Sequence, residues 1–266
     1  MSRRPHLRLA LRRSALAVAS AGFVVGSIVL PARPAAALTA NEKYVTKLYV
    51  DFVGRPPTSD ELAWGSALLQ TWSRAAYVDG LFRTTEMQAA WIRGVNQRYL
   101  VADPTSAEAS AASSDLQASG DYLDVELDVM SGPAYFAQAE SSNAEFVDAV
   151  YGDLLWRESD SSGATYWTGQ LDTGAKTRRQ VATAIVRSNE SASIRVKGSS
   201  DQTACLSTTL QLADDLTAGS YCLVLDRMAD SSGATYWIGR LSGSDQLPAL
   251  WSGLASSTEY FTHAQA

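Results

Sequence analysis

Asp160-Ser161-Ser162-Gly163-Ala164-Thr165-Tyr166-Trp167 recurs letter for letter as Asp230-Ser231-Ser232-Gly233-Ala234-Thr235-Tyr236-Trp237. Outward from this octapeptide, Tyr151 pairs with Tyr221, Leu155 with Leu225, Arg157 with Arg227, Leu171 with Leu241 and Glu190 with Glu259. A third copy runs through Tyr49, Val53, Arg55, Trp64, Leu68 and Glu86. A fourth, degraded copy runs through Tyr99, Leu100, Pro104-Thr105-Ser106 and Ser131-Gly132-Pro133-Ala134-Tyr135-Phe136. The chain therefore reads as four units, near residues 44–87, 92–136, 146–195 and 206–263. Self-similarity at this length is the mark of stacked helical units, each too small to bury its apolar face alone.

Within a unit the periodicity is helical. Val45, Leu48, Tyr49 and Phe52 fall at i, i+3, i+4 and i+7, as do Val147, Val150, Tyr151 and Leu154, which puts each set on one stripe. Thr39 to Glu42, Thr58 to Glu61, Ser142 to Glu145 and Thr177 to Gln180 fit the capping box that opens a helix. Pro56-Pro57 and the Asp-Ser-Ser-Gly runs end the first helix of their units. No alternating run is long enough for a strand. The expected fold is all-α, tandem helical units packed into one bundle or two, with units one and two in residues 38–140 and units three and four in 141–266. Ala107 to Ser114 and Gly198 to Thr203, rich in Ala, Ser and Gly, are expected to be loops or weakly anchored helix ends.

Arg3, Arg4, Arg8, Arg12 and Arg13 precede an uncharged, mainly apolar run from Ala15 to Leu30 and then Ala35-Ala36-Ala37. That order predicts a cleavable export signal over residues 1–37. The apolar run approaches the length of a bilayer span, so an uncleaved anchor is the competing reading. Arg12-Arg13 leaves both the general secretory and the twin-arginine route open. Cleavage removes six arginines and no acid, leaving sixteen Lys and Arg against twenty-eight Asp and Glu. The mature chain is then about twelve units negative, which argues against nucleic acid and anionic lipid as principal partners, and no stable membrane insertion is expected after cleavage. Lys176, Arg178 and Arg179 form the densest local basic group, in the pattern of a solvated helix start. Cys205 and Cys222, the only cysteines, are expected to form one disulfide in an oxidising compartment.

The order Phe146-Val147, Tyr151, Leu154-Leu155, Arg157, Asp160, Gly163, Tyr166-Trp167, Leu171, Val181-Ala182, Ser188 and Glu190 resembles the bacterial domain of unknown function 4214 family. The resemblance is strong in units three and four, moderate in unit one and faint in unit two. That family is similar in pattern to the linker domains of phycobilisomes, which are helical and join other proteins. The resemblance implies a helical extracellular module and supplies no catalytic residue.

The residues themselves name little chemistry. There is no Gly-x-Ser-x-Gly elbow, no His-Glu-x-x-His and no phosphate-cradling glycine loop. Two cysteines and His263, three residues from the C-terminus, do not build a metal site, and no cofactor is expected. Carboxylate-only hydrolysis of a cell-wall glycan is the enzymatic alternative, with Glu86, Glu190 and Glu259 as first suspects. These glutamates recur once per unit, however, together with an arginine and a tryptophan: Arg55, Trp64 and Glu86; Arg157, Trp167 and Glu190; Arg227, Trp237 and Glu259. In unit two Ala102, Ala111 and Ala134 stand at the matching places. Residues lost as a set are plausible neighbours, so each Arg is expected to pair with its Glu and to pack its stem or guanidinium plane on the Trp. Trp72, Trp156 and Trp251 have no counterpart in the other units and are the binding candidates. The resulting expectation is a non-enzymatic exported module that binds a protein or a cell-envelope glycan.

Overall fold

The structure, a computed structural model, describes residues 37–198, Cys205, 219–242 and 247–266. The expected export signal lies outside the described residues, apart from Ala37. Among the described residues there are fifteen α-helices and no strand. Unit one comprises α1 (Ala40–Leu48), prolonged by a π-helical turn (Tyr49–Val53), then α2 (Ser59–Leu68), α3 (Arg74–Phe82) and α4 (Thr85–Leu100). Helix α4 runs on without a break as the first helix of unit two, followed by α5 (Ser106–Ser119), α6 (Tyr122–Ser131) and α7 (Pro133–Gln138). Unit three is α8 (Asn143–Leu155), α9 (Ser161–Asp172), α10 (Arg178–Val186) and α11 (Asn189–Lys197). Unit four is α12 (Ser220–Leu225), α13 (Ser231–Leu241), α14 (Leu247–Ala255) and α15 (Thr258–His263).

Each first helix ends on a left-handed residue, Gly54, Val101, Trp156 or Asp226, and four residues later Thr58, Thr105, Asp160 or Asp230 caps the second helix. The degraded unit two thus keeps the turn geometry of the others. The expected boxes at Thr39, Thr58 and Thr177 are reciprocal, and at Ser142 the hydroxyl accepts from the Glu145 amide. A further box, Thr105 with Glu108, opens α5, so Ala107–Ser114 is the largely exposed first part of a helix, the helix-end alternative rather than a loop, while Ser199–Thr203 lies outside the described residues. Third helices carry the core: Tyr77 and Phe82, Val125 and Met130, Val181 and Val186, Leu250 and Ala255 are buried seven and two residues before the cap of the fourth helix.

Leu38–Ala266 forms one compact unit. Its halves meet along two seams of the same chemistry. Between units two and three, Tyr135 donates to Asp153 Oδ2 at 2.6 Å, Arg178 Nε donates to the Ser131 carbonyl at 3.3 Å, and the Arg178 guanidinium covers the Phe136 ring at 4.1 Å. Between units four and one, Tyr260 donates to Asp51 Oδ2 at 2.8 Å, Arg74 Nε to the Ser256 carbonyl at 3.0 Å, and Arg74 covers Phe261 at 4.8 Å. The two seams are counterparts under an internal pseudo-twofold relation.

The same relation equates α4 with α11 and α12 taken together. A Cβ built on Gly219 would collide with the Gly198 amide nitrogen, so the two glycines touch, and both have positive φ, 92° at Gly198 and 81° at Gly219. Gly198 and Gly219 therefore bring the end of α11 against the start of α12, where the other half has a single helix. Cys205 is joined to Cys222 on α12 by the expected disulfide, with Cα atoms 5.3 Å apart.

Candidate functional site

The recurrent arginine sits one residue past the left-handed cap, where the turn aims it at the N-terminus of the fourth helix. Arg157 Nε and Nη2 bond both carboxylate oxygens of Glu190 at 2.6 and 2.9 Å. Arg227 grips Glu259 in the same way at 2.5 and 2.9 Å. Arg55 Nε reaches Glu86 at 2.7 Å, while its two terminal nitrogens clasp Glu61 at 2.9 and 2.7 Å. A carboxylate two residues into a helix also complements the dipole there. In unit two the two places are Ala102 and Ala134, as expected, and no pair forms between them.

The aromatic partner differs from the expectation. The guanidinium carbons of Arg55, Arg157 and Arg227 lie 5.4, 5.0 and 5.2 Å over the rings of Tyr49, Tyr151 and Tyr221, and not over a tryptophan. Aligning identical letters places Trp64 with Trp167 and Trp237, one residue out of step. Counted from the helix cap, Trp64 matches Tyr166 and Tyr236, all six residues on, and Trp167 and Trp237 match Gly65. The signal that locates the true partner is the Tyr-to-Arg spacing of six, the same in all three units. Unit two has Asn96 at that place, so tyrosine, arginine, aromatic and glutamate vanish there together.

The tyrosine also explains a glycine. Any Cβ at Gly163 or Gly233 would run into the hydroxyl of Tyr151 or Tyr221, so the second helix approaches the first closely only with glycine at these positions. Four carboxylates around the arginines are held ionised. Arg55 draws Glu61 down to about 2, the Ser162 hydroxyl and the Gly163 amide bring Asp160 to about 2, and the Gly233 amide and Ser232 hydroxyl do the same for Asp230. Arg227 lowers Glu259. A carboxylate lowered in this way is a poor general acid, and Glu86 and Glu190 are likewise hydrogen-bonded to the arginine of their unit.

Three tryptophan assignments change. Trp64 is 61% exposed, whereas Trp167 and Trp237 are partly buried against the core. Trp251, a binding candidate by sequence, is wholly buried: it meets Trp91 edge-on at 5.0 Å and donates to Ser220 Oγ at 3.2 Å. Trp72 lies beside Gly80 much as Trp237 lies beside Gly253, so it covers the third helix of unit one where Gly65 stands in the place of Trp237. Trp72 and Trp156 both remain exposed. Trp64, Tyr166 and Tyr236 therefore emerge as three large aromatic side chains at one repeat-equivalent surface position, Tyr166 and Tyr236 each 54% exposed.

Sequence reading did not find a fully buried ion pair. Arg195 of α11 forks onto Glu126 of α6 at 3.1 and 2.6 Å, and Tyr99 donates to the same carboxylate at 3.2 Å. Neither partner shows in the local pattern, because they lie in different units. Lys176, Arg178 and Arg179 line an open cleft of about 390 Å³ at the seam of units two and three, but Arg179 is tied to Asp124 and Asp128 and Arg178 to the seam itself. Among the described residues no group of three or more His, Cys, Asp or Glu is placed to hold a metal ion, and no helix is long and apolar enough to cross a membrane.

Residues 131–194 match the family model of a domain of unknown function (DUF4214). The DUF4214 match runs from the end of α6 through unit three and takes in the Arg157–Glu190 pair, its tyrosine and its glycine. No curated protein and no solved structure matches the chain.

Proposed function

We propose that this protein is an exported, non-enzymatic module that binds a cell-envelope glycan. The observation that carries the reading is the recurrence of an exposed aromatic side chain, Trp64, Tyr166 or Tyr236, six residues into the second helix of every unit whose corner is intact. Four residues to either side stand Ser162 and Gln170 around Tyr166, and Ser232 and Arg240 around Tyr236, while Trp64 has Asp60 on one side and the partly buried Leu68 on the other. Tyr166 and Tyr236 each lie edge-on to the next residue, Trp167 at 4.7 Å and Trp237 at 5.0 Å, and Arg240 lies over Tyr236 at 5.2 Å, so aromatic surface stands beside hydrogen-bonding groups as a sugar ring requires. Repetition of the platform suits a polymer that repeats, through the gain in effective concentration that linked sites bring. The basic and apolar N-terminal segment and the disulfide support export.

The test is co-sedimentation of mature protein with insoluble cell envelope, with released sugar and peptide assayed in the supernatant. Trp64→Ala, Tyr166→Ala and Tyr236→Ala are each expected to lower the pelleted fraction, and the triple variant to abolish it. Release of sugar that Glu190→Gln or Glu259→Gln eliminates would point instead to the hydrolase. Binding by the triple variant that protease treatment of the envelope removes would point to a protein ligand on another surface.

A further inference from the structure

The connection between α7 and α8 is the one place where the two halves are joined by a tight reversal, and its backbone is unfavourable. Glu140 and Ser141 are consecutive non-glycine residues with φ of 52° and 54°. The left-handed region is sparsely used by such residues, and two in succession are rarer still. Both side chains are exposed, so no packing compensates, and the turn is closed only by the Ser141 amide on the Phe136 carbonyl and the Ser142 amide on the Ala139 carbonyl. The counterpart seam, between units four and one, forms the same tyrosine–aspartate, arginine–carbonyl and arginine–phenylalanine contacts with no local connection between its sides. The strained turn is therefore not needed to make a seam.

We propose that the partner this geometry fits is a second copy of the chain, with residues 139–142 opening into an extended hinge and the halves 38–140 and 141–266 exchanging between two molecules. Apart from the two hydrogen bonds of the turn itself, the contacts between halves are recovered in the exchanged dimer: both seams, the Trp91–Trp251 contact and the Glu126–Arg195 pair each then join the first half of one molecule to the second half of the other. The strain at Glu140 and Ser141 is released, which is the circumstance that favours swapping across a short hinge. The inference is independent of the glycan reading.

The test is refolding at high protein concentration followed by gel filtration, on the wild type and two hinge variants. Glu140→Val with Ser141→Val makes the left-handed turn harder, since β-branched residues are outliers there, and is expected to raise the dimer fraction several-fold. Glu140→Gly with Ser141→Gly removes the strain and is expected to leave monomer. Asp79 and Ser252, hydrogen-bonded across the seam of units one and four, report the exchange. With Asp79→Cys and Ser252→Cys, the new disulfide links two chains in the dimer and one chain in the monomer on a non-reducing gel. Equal dimer fractions in all three proteins, or a dimer with only intrachain links, overturns the proposal. If the valine pair fails to fold, wild type that yields no dimer at any concentration overturns it equally.

Discussion

At one pair of pseudo-symmetric positions the core brings together two tryptophans, and at the mated pair it buries a salt bridge. Trp91 and Arg195 each lie seven residues past the cap of the fourth helix of their unit, and Trp251 and Glu126 each lie six residues before the next such cap. The backbone frame is shared while the chemistry is opposite. Trp91 and Trp251 contribute burial of large apolar surface and edge-to-face attraction. Arg195 and Glu126 must first be removed from water, a cost that their mutual attraction offsets only through well-formed hydrogen bonds, so the pair is weak as a stabiliser and strict as a matching rule. The two places where the halves meet are thus unequal cores on one scaffold.

The largest effect that tests this contrast is expected from stranding a charge. Arg195→Leu leaves Glu126 buried and is expected to cost about 3–5 kcal/mol in urea unfolding, whereas Arg195→Met with Glu126→Leu is expected to be neutral or stabilising. Trp91→Ala, on the apolar side, is expected to cost about 3–5 kcal/mol with no partner substitution able to restore it by removing a charge. A double variant as damaging as Arg195→Leu alone would erase the distinction between the two sites.

The next effect concerns the close approach that units three and four share and unit two lacks. Gly163→Ala is expected to cost about 1–3 kcal/mol through collision with the Tyr151 hydroxyl. Tyr151→Phe in the same molecule should return part of that loss; no rescue would mean the helices are not held apart by that oxygen. Smaller still is the Arg157–Glu190 pair, whose side chains are 39% and 44% exposed. A double-mutant cycle is expected to give a coupling below about 1 kcal/mol, falling further in high salt. Strictly additive losses would remove the pair from the account of the corner.

Acid titration sharpens the comparison by direction. Glu61, Asp160 and Asp230 are depressed in the folded state to about 2. Their stabilisation is complete above the unfolded carboxylate range near pH 4 and is lost as pH falls toward 2. Hydrogen exchange across that window is expected to loosen the corners of units one, three and four before α5 and α6. Uniform loosening would show that the corner carboxylates do not set acid stability.

What was legible in the sequence was whatever recurs. The helices, their caps, the Arg and Glu of each corner and their loss at Ala102 and Ala134 all follow from lining up four passes of one chain. The register of Trp64 was not legible by letter identity, because the helix cap, not the tryptophan, fixes which face a residue takes. The Glu126–Arg195 pair was hidden for a different reason: the buried stripe of α6 accepts a glutamate only because an arginine from 69 residues onward meets it. The continuity of α4, against its divided counterpart, was masked by residues 199–218, which shift the period.

Gly198 and Gly219 give that inserted stretch a property of its own. Because its two ends touch, its length is geometrically uncoupled from the spacing of the helices on either side. The entropic toll of joining two fixed ends grows only logarithmically with the residues between them, about 0.6 kcal/mol for each doubling. The fold therefore holds a point where the count of residues between two helices can change without moving α11 against α12, with Cys205 tethered to Cys222 across it.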